Sequence, residues 1–218
     1  MKNLFKKDLL SSGMDFQWIS IFFLILSIAL TVFKLGDYFP VISYLILILA
    51  PLMYFLNIFN YTEIDYYKSE LFFPIKIYKV VLSRYITYAF ITTLSLFYIL
   101  GISYVRKVVL GESLQEYQVN TISLGVAVAL FFASFVLAGS FVLGNKNIKT
   151  IGIASFALTL IPIRIFMELC KYFLKLNNVF DVYRYRFLIF LLIITSIVVY
   201  IISFFISLIG FPKRLRRQ

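Results

Sequence analysis

Histidine is absent from this 218-residue chain, and Cys170 is its only cysteine. These two facts remove intrachain disulfides, C-x-x-C redox chemistry and zinc sites built from His and Cys. They also remove the Ser–His pair of a serine protease and the H-E-x-x-H helix of a metalloprotease. No G-x-x-x-x-G-K-[ST] segment occurs, so the chain does not cradle ATP in a phosphate loop. Charge is scarce too: 14% of residues are charged, against roughly 25% in a soluble domain. No catalytic residue, bound cofactor or metal of its own is expected.

What fills the chain instead is apolar. Hydrophobic residues make up 62% and aromatic residues 19%, and the mean hydropathy is +0.95. A single soluble core cannot hide that much apolar surface without leaving large patches, so the sequence reads as an integral membrane protein. The net charge of +11 then has a different meaning from the one it carries in a soluble protein. Lys and Arg gather in juxtamembrane loops, where they set topology and meet anionic lipid. No nucleic-acid partner is expected.

A spanning helix needs ~20 mostly apolar residues. Six segments meet or approach this, at 16–33, 39–60, 85–105, 119–144, 150–167 and 187–211. Between them stand turn-forming pairs such as Gly36-Asp37, Gly111-Glu112 and Asn177-Asn178. Ser27-Ile28-Ala29 has signal-cleavage spacing but lies inside the first apolar run, so a cleaved leader is not expected. Most of the 21 Lys and Arg residues fall on one side of this arrangement: Lys2, Lys6 and Lys7; Lys68, Lys76, Lys79 and Arg84; Lys146 and Lys149; Lys213, Arg214, Arg216 and Arg217. The positive-inside rule makes that side cytoplasmic. The expected fold is all-α: one transmembrane domain over 1–218, six helices, both termini inside. A cytoplasmic segment covers 61–84 and an extracellular one 170–186. The opening MKNLFKKDLL is consistent with an amphipathic helix on the inner leaflet or with an ordinary flank.

The segment YTEIDYYKSELFFPIKIYKVVLSRY, 61–85, interrupts the apolar pattern. Thr62 and Asp65 approximate a capping box, and Glu63 and Asp65 suit the first turn of a helix. Pro74 disfavours helix at Phe73, so a bend belongs there before helix resumes near Lys76. The acidic half displays Tyr66, Tyr67, Phe72 and Phe73 beside Glu63, Asp65 and Glu70. Acidic and aromatic residues are not a design for anionic lipid. They suit docking into a partner's groove, or a solvated loop whose aromatics pack on its own spans.

Two spans, an acidic short helix, FFPIKIYKVVLSRY and a third span together resemble the ABC-2 type transporter permeases. In the small bacterial members this loop follows an acidic residue with a Pro-aliphatic pair and a basic-Tyr end. The matching residues are Glu63, Asp65, Glu70, Pro74, Ile75, Lys76, Val80, Val81, Ser83, Arg84 and Tyr85. Lys76 replaces the usual Ser, and Phe73 the usual Leu. The start MKNLFKKDLL also resembles that family's opening. The resemblance implies that two permease subunits, identical or paralogous, form a pathway in a bacterial cell membrane. Each would dock a cytoplasmic ATPase that carries the ATP and magnesium. The helix around Glu63–Phe72, with Phe73 and Pro74 after it, would be the coupling helix. The implied cargo is an amphipathic or apolar molecule such as a peptide toxin, modulin or peptide antibiotic, a likeness that extends to the subunits exporting phenol-soluble modulins.

Three other features bear on function. Arg164 and Glu168 are four residues apart and share a helix face. They are candidates for a pathway-lining pair, with an ordinary headgroup-level pair as the alternative. Gly125, Ala129 and Ala133 form a small-residue seam for close helix packing, within the subunit or across a dimer. Pro51 and Pro162 lie inside spans and are expected to kink them. The rival to a permease is a stand-alone membrane protein giving immunity to a peptide toxin or interacting with lipid, without an ATPase. A secondary transporter is a weaker third reading, because few membrane-buried acids exist to relay protons.

Overall fold

The structure, a computed structural model, describes residues 25, 39–60, 76–111, 116–144, 148–175 and 185–215. The span expected at 16–33 lies outside these residues except for Ile25, which is helical. Five helices are described in full: α1 Phe39–Asn60, α2 Ile77–Leu110, α3 Glu116–Leu143, α4 Ile148–Leu174 and α5 Arg186–Leu215. No strand occurs among the described residues.

Four of these helices, α2 to α5, are long and apolar enough to cross a membrane. α1 has 22 residues without a charged side chain. α2 is the longest at 34 residues. At 1.5 Å per residue it measures about 51 Å, well beyond a hydrocarbon core of about 30 Å. It begins after Lys76, whose backbone is extended, and ends at Gly111 in the left-handed conformation, φ 71°. There the Gly111 N–H donates to the Lys107 carbonyl at 3.1 Å, a closure glycine makes without steric cost. Pro51, Pro162 and Pro212 lie inside α1, α4 and α5, each of which continues through its proline as one helix.

The helices alternate in direction. At one end, the Arg106 guanidinium near the close of α2 lies 4.8 Å from the centre of the Phe39 ring at the start of α1. Glu116 and Arg186, at the starts of α3 and α5, pair at 2.8 Å at this same end. The late α4 residues Met167 and Cys170 pack there on Leu188 of α5. The opposite end gathers Tyr85, Phe141, Ile151 and Phe211 from α2, α3, α4 and α5.

α3 is the central element and touches all four others, α5 most extensively. Close approach explains its composition, since van der Waals packing of small residues drives helix association in membranes. A Cβ on Gly125 would lie 2.9 Å from Leu47 Cδ1 of α1, and one on Gly139 would lie 2.9 Å from Ile151 Cγ2 of α4. A Cβ on Gly210 of α5 would lie 2.5 Å from Val142 Cγ2 of α3. Buried hydroxyls are satisfied mostly within their own helices. Thr87, Thr92, Ser95 and Ser103 donate to carbonyls four residues earlier, as a medium without water demands.

Candidate functional site

The sequence motif ends in Val80, Val81, Ser83, Arg84 and Tyr85, and the structure draws all five into the bundle. They sit on the first turns of α2, while Lys76 and Tyr78 beside them stay exposed. Arg84, counted above among the inner-leaflet cations, is only 4% exposed. Val80, Val81 and Tyr85 join a core cluster with Phe132, Ala133, Val136 and Phe141 of α3, Ile151 of α4 and Phe211 of α5. The motif therefore locks the base of α2 onto the central helix.

Tyr85 is the hub of this junction. Its ring lies 5.1 Å from Tyr200 and 5.4 Å from Phe204, tilted by 54° and 77°. Its hydroxyl lies 3.1 Å from Ser203 Oγ and 2.8 Å from Ser207 Oγ. Tyr200 returns the contact by donating its hydroxyl to the Tyr85 carbonyl at 2.7 Å. Ser203 and Ser207 also reach carbonyls of their own helix, Tyr200 at 2.8 Å and Ser203 at 3.0 Å. One helical turn further along α2, Tyr88 donates to the Ala129 carbonyl of α3 at 3.3 Å. Rings and hydroxyls thus fasten α2 to α5 and to α3.

Tyr200, Ser203, Ser207 and Gly210 were not singled out as site residues in the sequence. A signal was present. With Ser196 they form a stripe of small and hydroxyl residues at helical spacing along an otherwise apolar α5, and such a stripe marks a helix contact.

The residues expected to dock an ATPase, Glu63, Asp65, Tyr66, Tyr67, Glu70, Phe72, Phe73 and Pro74, lie outside the described residues. Gly125, Ala129 and Ala133 are buried inside the chain. Gly125 faces Tyr44 and Leu47 of α1, Ala129 accepts from Tyr88, and Ala133 sits in the shared core. Cys170 is a buried free thiol.

At the other end, Arg164 Nη2 and Glu168 Oε1 lie 2.5 Å apart on α4, with side chains 67% and 44% exposed. α4 continues to Leu174, beyond the expected limit of 167. If the hydrocarbon begins at Thr150, just after Lys149, about 30 Å carries it to Cys170. Arg164 then lies about 9 Å and Glu168 about 3 Å below the far boundary. Tilting the helix, or setting the hydrocarbon boundary nearer Leu174, sinks both deeper. Ionisable groups at such depth face a water-filled cavity or a polar partner rather than lipid, and this pair points out of the bundle. Beside it, Glu168, Lys171, Tyr172, Phe173 and Lys175 line an open depression of about 670 Å³. Among the described residues no acidic cluster could hold a metal ion.

No curated protein matches the chain, and no solved structure does. The ABC-2 family transporter proteins match it over residues 3–211. This stretch reaches into all five helices and includes the whole Pro74–Tyr85 motif, so the chain belongs to the ABC-2 family of transporter proteins.

Proposed function

We propose that this chain is the permease subunit of an ATP-driven exporter and forms half of a pathway for an amphipathic or apolar substrate. The family is a membrane transport component that works with a partner ATPase. The finer reading adds six spans with both ends cytoplasmic, in a bacterial plasma membrane. It also adds a second permease subunit, identical or paralogous, and an ATPase docked on the 61–84 segment through Glu63, Asp65, Tyr66, Tyr67, Glu70, Phe72, Phe73 and Pro74. A peptide, such as a toxin, modulin or peptide antibiotic, is the favoured cargo.

The observation that carries the coupling role is the continuity of α2. One helix runs from Ile77, directly after the motif proline segment, to Leu110, and Tyr85 and Val81 bind its base to α3, α4 and α5. A push delivered at Ile77 therefore has a stiff path into the bundle. Such a push matters only if its contacts differ between the two states of the cycle. The pathway role of Arg164 and Glu168 rests on their depth and outward exposure.

Gentle detergent extraction tests the reading directly. An ATPase should co-purify, and its hydrolysis should change on assembly. Deleting Glu63–Phe72 should abolish that association while the helical content stays unchanged. A chain that still protects cells from a peptide toxin after this deletion, with no ATPase recovered, would support the immunity reading instead.

A further inference from the structure

The joint between α2 and α5 has more short oxygen contacts than hydrogens to fill them. Tyr85, Ser203 and Ser207 bring one hydroxyl hydrogen each. Four contacts compete for them: Tyr85 to each serine, Ser203 to the Tyr200 carbonyl, and Ser207 to the Ser203 carbonyl. One contact is therefore always short of a hydrogen. When both serines donate to their own helix, Tyr85 donates to only one of them. When one serine turns to Tyr85, its carbonyl gives up that bond and keeps the helix bond it already accepts.

Two consequences follow. The two serines are near-equivalent partners for Tyr85, at 3.1 and 2.8 Å, one turn apart on α5. Either can also let go of Tyr85 without becoming an orphan, because its own helix carbonyl is within reach. All three side chains are buried, so no water substitutes for a lost partner and the hydrogen stays within the cluster. A helix shift of about 1–2 Å, the usual size at moving interfaces, breaks one of these two contacts and keeps the other, so the direction of the shift selects which serine Tyr85 holds.

We propose that Tyr85 is a positioning residue that transmits movement of the α2 base to α5, with Ser203 and Ser207 as its alternate acceptors in the two states of the transport cycle. The proposal rests on the reading of the chain as an ATP-driven permease. Tyr85→Phe isolates it, because the ring contacts with Tyr200 and Phe204 remain and only the shared hydroxyl is lost.

The experiment uses the full complex with its co-purified ATPase and a Cys170→Ser background. Spin labels at the exposed positions Leu94 on α2 and Ile197 on α5 report the distance without nucleotide and after vanadate trapping. The original chain should show a distance change on trapping. Tyr85→Phe and the Ser203→Ala/Ser207→Ala pair should hydrolyse ATP within twofold of it but lose the change. Tyr200→Phe, which keeps the shared hydroxyl, should lower the melting temperature and retain the change. A change that survives in Tyr85→Phe, or never occurs in the original complex, overturns the proposal. If no ATPase assembles with the original chain, the permease reading itself falls, and this joint with it.

Discussion

α5 is held on two faces by opposite means. Against α3 it packs dry and close, with Gly210 pressed on Val142 and the Phe211 ring 5.2 Å from Phe141. Against α2 it is held by Tyr85, Tyr200, Ser203 and Ser207. The first contact depends on shape, and shape has one good answer. The second depends on hydroxyls with alternative partners, so it tolerates small displacements. The difference sets an α3–α5 body, on which the base of α2 also packs through the Val80 and Val81 core, apart from an α2–α5 joint made of exchangeable bonds.

The largest effect should come from spoiling the dry face. Val142 is β-branched and stiff in a helix, so a side chain at position 210 forces the two backbones apart. Gly210→Leu should cost about 3 kcal/mol, the upper part of the usual overpacking range. Thermal unfolding in detergent measures this. Val142→Ala introduced alongside should recover much of the loss, since it removes the colliding methyl groups. If Gly210→Leu melts like the original chain, the α3–α5 contact is not the rigid half of the molecule.

The hydroxyl face should yield less. Tyr200→Phe removes one bond to the Tyr85 carbonyl, which keeps its helix partner, so about 1 kcal/mol is expected. A loss as large as that of Gly210→Leu would erase the distinction between the two faces. Ser43 sharpens the rule from the opposite side. Its Oγ is buried with no hydrogen-bond partner among the described residues, whereas Ser203 and Ser207 each have two. Ser43→Ala should therefore raise stability, by up to about 1 kcal/mol, by removing an unpaid desolvation cost. Ser203→Ala should not raise it.

Much of this arrangement was legible in the sequence. The segment expected at 39–60 is helical over the bounds of α1, and the segments expected at 119–144 and 187–211 fall within three or four residues of α3 and α5, because long apolar runs leave few other choices; of these three, α3 and α5 are long and apolar enough to cross a membrane. The span expected at 150–167 stopped short of α4's end. Arg164, Glu168 and Lys171 look like a boundary when charge alone is counted, but an i,i+4 pair neutralises itself and the helix continues to Leu174. The motif was visible, yet its role as a packing joint was not. Tyr85 meets residues 118 and 122 positions away, and no local pattern specifies such a meeting. The burial of Arg84 was hidden for the same reason.

The smallest expected effect concerns the third tie on α5, the pair between Glu116 and Arg186 at the helix starts. Both side chains are more than half exposed, so the pair itself is worth little and fades in salt. Its two halves should nevertheless behave differently. Glu116 sits in the first turn of α3, where a negative charge also gains from the helix dipole. Arg186 opens α5, where a positive charge opposes that dipole. Glu116→Gln therefore loses the pair and the dipole term together, about 0.5–1 kcal/mol at low salt. Arg186→Gln loses the pair but relieves the dipole, so its cost should be near zero. Melting curves at low and high sodium chloride separate the two, and the gap between the variants should narrow as salt rises. Equal losses would mean that the bridge, rather than the helix ends, holds this side of α5, and that the α3–α5 body depends on charge as well as on shape.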